Sequence, residues 1–203
     1  LRSGEFHQRL PAGMKAYLRT FGCRANQYDT ETMRATLLAG GVELVERVEH
    51  ADVAIFNSCA VTASAEAELR QSIRRAARRN PRLRSVVTGC AAATDTGILR
   101  ALPSVTGIIP GADPAAVAAM LSLPAPVAGA HATRQTGARA LLRIQDGCDE
   151  HCTFCVTTIA RGANRSRPVV DLVREARALA VHHQEIVVTG IHIGTYGADM
   201  GSS

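Results

Sequence analysis

The sequence lacks long apolar runs. No stretch approaches the roughly 18 to 20 uninterrupted apolar residues that a membrane-spanning helix needs. No apolar run follows a basic start, as one does in a secretory signal. We therefore expect a cytoplasmic protein that does not enter a membrane. Its 203 residues, 46% of them hydrophobic, suffice for one sizeable core or two modest domains.

Lysine is almost absent from the sequence. Lys15 is the only lysine among the 23 basic residues, so arginine supplies nearly all of the positive charge. The formal net charge of +5 suits an anionic partner such as RNA, because basic side chains displace counterions from phosphates. A GC-rich coding bias explains the arginine excess equally well. The basic balance is therefore supporting evidence only.

Short apolar runs rich in β-branched residues alternate with helical patterns from Lys15 to Leu123. This alternation is typical of a parallel sheet with crossover helices, so we expect an α/β domain with a doubly wound sheet over residues 14–123. Predicted helices start at Asp29, at Thr62 or Ser64, and at Asp113, and the first of them ends at Leu38. The predicted strands are Ala16–Phe21, Val42–Val45, Val53–Asn57, Val86–Thr88 and Val105–Ile109.

The second half of the sequence predicts a smaller unit. Residues 124–139 are rich in Pro, Ala, Gly and Thr and have no sustained period, which indicates a linker. Beyond it, over residues 140–203, one strand, helix, strand unit cannot close a barrel, so we expect this second domain to be incomplete. Residues 1–13 are interpreted as an irregular leader, from a vector or an early start codon. The predicted elements of the unit are Ala140–Gln145, Pro168–His183 and Glu185–Thr189.

Cysteine is the informative residue type. Six cysteines without a secretory signal favour ligands, nucleophiles or buried packing over disulfides. Three of them follow a predicted strand with the spacing C-x3-C-x2-C, namely Cys148, Cys152 and Cys155. Three thiolates from one loop can hold three irons of a four-iron cube and leave the fourth iron open to a small molecule. A zinc site that uses His151 or a later histidine is the alternative.

The other three cysteines are distant in sequence. Cys23, Cys59 and Cys90 each follow the carboxyl end of a predicted strand. These ends lie along one edge of a parallel sheet, where ligands bind in doubly wound folds. Buried packing is the usual explanation for any one such cysteine alone. All three at strand ends together predict a second three-cysteine cluster.

Four motifs in this order resemble those of the radical SAM tRNA methylthiotransferases, where SAM is S-adenosylmethionine. The resemblance is greatest to the branch that acts on threonylcarbamoyladenosine. It implies a methylthiotransferase amino-terminal domain followed by the first β/α unit of a truncated, partial TIM barrel. The motifs are Thr20–Gln27, Asn57–Thr62, Thr88–Ala91 and Gly147–Cys155.

The resemblance also implies a mechanism. Two 4Fe-4S clusters would be held by the two cysteine sets, and SAM would bind the open iron of the second set. Its cleavage to a radical would open an unactivated C–H bond of adenine, which acid–base chemistry cannot do. The first set would present the sulfur, giving the 2-methylthio derivative of N6-threonylcarbamoyladenosine next to the tRNA anticodon. An electron donor of the flavodoxin or ferredoxin type is a further implied partner.

Several residues outside the cysteine sets receive roles from the resemblance. Phe154 would flank the adenine of SAM, and Thr189 with Gly190 would lie near its methionyl amine. Packing and turn roles are the alternative for Phe154 and Gly190. A basic segment would contact tRNA phosphates or the SAM carboxylate, with a solvated loop as the alternative. Its residues are Arg161, Arg165 and Arg167.

Two other functions stay open from the sequence. One is methylthiolation of isopentenyl-adenosine in tRNA, and the other is a non-enzymatic metal-binding scaffold for RNA. The family normally continues through more barrel strands and a β-rich RNA-binding domain. We therefore expect the 203-residue chain to bind iron and sulfide but to turn over poorly or not at all.

Overall fold

A five-stranded parallel sheet forms the centre of the first domain, in the order β2-β1-β3-β4-β5. The computed structural model describes residues 13–59, 63–125, 132–150, 152–153 and 155–201. The predicted strands and the doubly wound α/β fold are confirmed. The strands are β1 (Lys15–Phe21), β2 (Glu43–Leu44), β3 (Val53–Ser58), β4 (Arg84–Gly89) and β5 (Val105–Pro110).

Helices cover both faces of this sheet. On one face, Met33 and Leu37 of α1 (Arg24–Ala39) pack with β3 and with α4 (Pro114–Met120). On the other face, Leu69 and Ile73 of α2 (Ala63–Arg79) pack against Phe56 of β3. The short helix α3 (Cys90–Ala93) follows β4 without a break.

Helix α1 begins five residues before the predicted start at Asp29. Its first turns bury polar side chains, Asn26, Asp29 and Thr30, toward the rest of the protein. A search for apolar periodicity cannot detect such a helix face, because the buried positions are not apolar. The predicted start of α4 is correct, since Asp113 Oδ1 accepts hydrogen bonds from the Ala115 and Ala116 amides at 2.8 and 3.2 Å.

The second domain contains a parallel pair, β6 (Ala140–Arg143) with β9 (Ile186–Thr189), joined through helix α6 (Val169–Ala180). Leu172 and Leu179 of α6 pack against Ala140 and Leu142 of β6. The predicted strand 140–145 is divided, because β7 (Gln145–Asp146) turns away to pair antiparallel with β8 (Arg165–Ser166). Helix α5 (Thr157–Arg161) lies between β7 and β8 in sequence, and short 3₁₀ turns occur at Val48–His50, Ile193–Thr195 and Ala198–Met200.

The predicted linker includes residues that belong structurally to the second domain. Gln135 Nε2 donates to the Leu141 carbonyl, and Gln135 Oε1 accepts from the Leu141 amide, both at 2.8 Å. This side chain therefore pairs with β6 much as a neighbouring strand would. Residues 126–131 of the linker and 1–12 of the predicted leader lie outside the described residues.

Within the described ranges, no helix has both the length and the apolar character needed to cross a bilayer.

Candidate metal centres

The strand order of the first domain reverses direction between β1 and β3. In open α/β sheets, ligands bind at such a switch point, beyond the carboxyl ends of the strands. Cys23 follows β1, Cys59 follows β3, and Cys90 begins α3 directly after the adjacent strand β4. The sheet therefore brings these three cysteines to its ligand-binding edge.

Two glycines allow the chain to crowd together at this edge. Gly22 has a φ of +110°, and a Cβ there would lie 2.4 Å from Cys59 Cβ. Gly89 has a φ of +90°, and a Cβ there would lie 2.3 Å from Asn57 Oδ1. Only glycine permits this combination of conformation and close approach. The backbone is thus shaped to bring the cysteine-bearing segments together.

The three thiols interact with one another and with one arginine. A hydrogen bond with the Cys59 thiol lowers the pKa of Cys23 to about 5, and the charge of Arg161 acts in the same direction. Burial raises the pKa of Cys90, while the charge and a hydrogen bond of Arg161 oppose that rise. Cys23 is exposed, whereas Cys59 and Cys90 are buried. The site therefore combines one accessible thiolate with two sheltered thiols.

Buried amides hold this site in place. Asn57 Nδ2 donates to the Asn26 carbonyl at 2.8 Å and to Thr30 Oγ1 at 3.0 Å. Asn26 Oδ1 in turn lies 3.4 Å from Cys23 Sγ and accepts from Arg161 Nη2 at 2.8 Å. The sequence motifs include Asn26 and Asn57 but assign neither of them a role. Their position next to cysteines at strand ends was the available signal.

The second cysteine set lies on the loop between β7 and β8. Gly147 has a φ of +72°, and a Cβ there would lie 1.9 Å from the Ala163 carbonyl oxygen. The Cys148 amide donates to the Gly162 carbonyl at 3.0 Å. The outgoing and returning arms of the loop are therefore in direct backbone contact at its base, and only glycine fits at residue 147.

The thiols of this loop are accessible. Cys152 and Cys155 are exposed, and Cys148 is half-buried. Cys155 Sγ and Thr157 Oγ1 are 3.0 Å apart, and a hydrogen bond from the Thr157 hydroxyl to the thiolate lowers the pKa of Cys155. Cys148 Sγ lies 3.8 Å from His192 Nδ1, a residue to which the sequence gave no role.

A buried glutamine joins this loop to the segment after β9. Gln145 Nε2 donates to the Gly147 carbonyl at 2.6 Å and to Asn164 Oδ1 at 2.5 Å. Gln145 Oε1 accepts from the Ile191 and His192 amides at 2.9 and 2.8 Å. Gln145 thus fixes the cysteine loop beside the predicted SAM-contact residues Thr189 and Gly190. The third such residue, Phe154, and the alternative zinc ligand His151 lie outside the described residues.

The donor chemistry of both sets suits iron-sulfur groups better than a single ion. No three His, Cys, Asp or Glu side chains in the described part of the chain are arranged to hold one metal ion. In a 4Fe-4S cube each protein thiolate binds a different iron, so its ligands need not surround one point. Soft thiolates are the ligands that such clusters prefer. The cysteines at the sheet edge and on the loop therefore fit clusters by the chemistry of their sulfur donors.

The three arginines predicted to contact RNA differ in exposure. The Arg161 side chain is 5% exposed and binds Asp29 at 2.9 Å and Asp146 at 3.1 Å. Burial alone would lower the pKa of Arg161, but the charges of Asp29, Cys90 and Asp146 together raise it. Arg167 binds Glu175 at 2.6 Å, whereas the Arg165 side chain is 60% exposed. All three arginines thus have protein partners, but Arg165, which lies 3.7 Å from Asp146, presents most of its side chain to solvent.

Known proteins are similar in sequence to most of this chain. Residues 15–110 match the model of a family described as uncharacterized protein family UPF0004. The chain is 33% identical to a threonylcarbamoyladenosine tRNA methylthiotransferase of Rickettsia prowazekii (strain Madrid E), over 91% of this chain and 45% of the relative. It is 35% identical to the enzyme of the same name from Bacillus subtilis (strain 168), over 89% of this chain and 44% of the relative.

The chain belongs to the tRNA methylthiotransferase family. The predicted family is confirmed. Another of its relatives is the tRNA-2-methylthio-N(6)-dimethylallyladenosine synthase of Thermodesulfovibrio yellowstonii (strain ATCC 51303 / DSM 11347 / YP87), 31% identical over 91% of this chain and 47% of that methylthiotransferase. The chain spans about half the length of these curated relatives.

Proposed function

We propose that the chain carries the amino-terminal domain and the first part of the radical SAM domain of an enzyme that converts N6-threonylcarbamoyladenosine in tRNA to its 2-methylthio derivative. The observation that carries this proposal is the meeting of Cys23, Cys59 and Cys90 at the switch point, with Arg161 from the second cysteine loop packed beside them. The names of the Rickettsia and Bacillus relatives support the choice of modified adenosine.

In this proposal each cysteine set holds one 4Fe-4S cluster. When bound, the clusters supply the electron that cleaves SAM and the sulfur that is inserted. The chain's own residues position the second cysteine set. Gln145 fixes the loop that carries Cys148 against the segment that follows Thr189 and Gly190. Phe154, Thr189 and Gly190 stay predicted SAM contacts.

The partners follow from the same proposal. Arg165 is the exposed arginine of the basic segment, so it is the one that we retain as a tRNA phosphate contact. A reductant of the flavodoxin or ferredoxin type would deliver the electron. We place the enzyme in the cytoplasm, where its tRNA substrate occurs and where thiols stay reduced.

Metal analysis tests the cluster assignment on the 203-residue chain. After anaerobic reconstitution, the chain should hold about eight irons with matching sulfide, as two 4Fe-4S cubes require. Replacing Cys23, Cys59 and Cys90 by alanine should remove about half of the iron, and so should replacing the other three cysteines. One or two zincs without iron would instead support a non-enzymatic metal-binding scaffold.

A methylthiolation assay tests the substrate. Because the chain spans about half the length of its relatives, the assay uses the whole gene product that contains this sequence. We expect product from tRNA carrying N6-threonylcarbamoyladenosine and none from tRNA carrying the isopentenyl group. The reverse preference would assign the chain to the function named for the Thermodesulfovibrio relative.

A further inference from the structure

Arg161 is the residue through which the two cysteine sites touch. It ends helix α5, directly after the loop of Cys148, Cys152 and Cys155, yet its guanidinium reaches into the first domain. There it contacts the Cys90 thiol, and it donates to Asn26 Oδ1 at 2.8 Å. The same Asn26 oxygen lies 3.4 Å from Cys23 Sγ. One side chain of the second domain thus contacts one cysteine of the first site and the partner of another.

The remaining donors of Arg161 keep it fixed. Nη2 binds Asp29 Oδ2 at 2.9 Å in α1, and Nη1 binds Asp146 Oδ1 at 3.1 Å in β7. Asp146 Oδ1 also accepts from the amide of Gly147, the residue before Cys148. With 5% of its side chain exposed, Arg161 has little room to move. The bidentate, permanently charged guanidinium suits such a buried junction.

The charges around Arg161 give it an influence on the cluster site. Asp29 and Asp146 each also bind Arg143, and the exposed Arg165 lies 3.7 Å from Asp146, so Arg161 belongs to a group of two acids and three arginines. Thiolates at Cys23 and Cys90 would add negative charge next to Arg161. Reducing a cluster adds one electron and no proton to the same place. A buried positive charge in contact with the ligands favours that more negative state.

We propose that Arg161 is a positioning residue that raises the reduction potential of the cluster at Cys23, Cys59 and Cys90 and holds the second cysteine loop against it. This inference rests on the proposed function. It assigns to Arg161 an electrostatic role inside the protein in place of the RNA contact expected from the sequence.

The test is a redox titration of the first cluster alone. Cys148, Cys152 and Cys155 are replaced by alanine, the chain is reconstituted with iron and sulfide, and reduction is followed by electron paramagnetic resonance. In this background Arg161→Gln should make reduction about tenfold less favourable, which is about 59 mV for one electron. Arg161→Lys keeps the charge and should recover at least half of that loss.

Arg174→Gln is the control for net charge, because it removes an exposed guanidinium of α6 that pairs with Asp171 on the surface of the second domain. Its potential should equal that of the parent. Equal shifts for the two glutamine variants would reveal a general effect of net charge and overturn the proposal, as would an unchanged potential in Arg161→Gln. Failure of both Arg161 variants to take up iron, while Arg174→Gln takes it up, would make Arg161 purely structural and also overturn the proposal.

The redox titration distinguishes failure of the inference about Arg161 from failure of the proposed function. If the parent with Cys23, Cys59 and Cys90 binds no iron, the cluster assignment itself fails. If the parent binds iron and the reduction potential does not change when Arg161 is replaced, only the inference about Arg161 fails.

Discussion

The hydroxyl of Tyr28, in the first helix of the sheet domain, donates a hydrogen bond of 3.1 Å to the carboxylate of Glu175 in the second domain. Arg167 binds both of them, at 3.1 Å from the Tyr28 oxygen and 2.6 Å from Glu175. These buried polar contacts join elements that are 147 residues apart in sequence. The two domains are therefore connected by side chains in addition to the linker.

Tyr28 should titrate later than the other tyrosines. Burial, together with the charge of Glu175, raises its pKa to about 12 from the ordinary value of 10.0. The chain has three tyrosines and no tryptophan, so the near-ultraviolet absorbance of tyrosinate reports on the three phenols directly. We expect one of the three to ionise about two pH units late, and Tyr28→Phe to remove that late step.

The same shift makes folding stability depend on alkaline pH. The neutral phenol is favoured in the folded state, so its contribution is complete below pH 10 and is lost as the pH rises toward 12. The loss should reach about 2 kcal/mol in wild type. Urea unfolding at several pH values should show a weaker alkaline loss in Tyr28→Phe, and equal losses in both proteins would contradict the assignment.

Cys23 should be the thiol that stays reactive at acid pH in the metal-free chain. Its pKa of about 5 makes it a thiolate at neutral pH, and it is exposed. The rate of alkylation by iodoacetamide at Cys23, followed by peptide mass spectrometry, should change little above pH 6 and fall below pH 5. Cys90 is the internal control: it is buried and its pKa is raised, so it should react slowly and only at alkaline pH.

Gly22→Ala should disturb the first cysteine site selectively. The new methyl would lie 2.4 Å from Cys59 Cβ, in a backbone conformation with a φ of +110°. We expect a loss of about 1 to 3 kcal/mol in unfolding free energy, typical of overpacking, and loss of iron from the Cys23, Cys59, Cys90 set alone.

Gly41→Ala is the control for backbone strain. Gly41 also has a positive φ, of +79°, but a Cβ there would meet nothing within 4 Å. It should cost about 1 kcal/mol and leave iron content unchanged. Equal iron loss in both variants would show that the crowding at Cys59 is unimportant.

Asp29→Asn should weaken the junction between the domains. The Asp29 side chain is 1% exposed and binds both Arg143 and Arg161, so removing its charge leaves the buried Arg161 and the partly buried Arg143 with less compensating negative charge. The cost should be about 3 kcal/mol in unfolding free energy. Asp52→Asn, which alters an exposed hydrogen bond to the Lys15 amide, should cost much less. Comparable losses in chemical unfolding would contradict this account of the junction.

The sequence allowed most of the first domain to be predicted, because its strands are continuous apolar runs. Val53–Ser58 is buried throughout, and Arg84–Gly89 is buried at every residue but the first. The early start of α1 could not be predicted, since its buried face carries Asn26 and Asp29. The division of the strand at Ala140–Gln145 also escaped prediction, because the antiparallel pairing of β7 depends on a partner 20 residues later.

One cysteine set was predicted from its spacing and the other from its positions after strand ends, but the neighbours of both sets were not predicted. Cysteines stand out in a sequence, since they are rare and chemically distinctive. The role of Arg161 depends on its contacts with Asp29 and Cys90, which are distant in sequence and lie in the other domain. An arginine next to a cysteine loop in a basic protein is equally compatible with RNA binding. Only the folded chain separates those two roles.

The pairing of Gln145 with Ser166 and of Asp146 with Arg165 closes the base of the loop that carries Cys148, Cys152 and Cys155. Tying the ends of a segment together removes most of the conformations that it would otherwise sample. A ligand arriving at the three thiols then has only the tip of the loop to organise. The antiparallel pair thus holds the two ends of the loop together. Disrupting this pairing should weaken cluster uptake without any change to a cysteine.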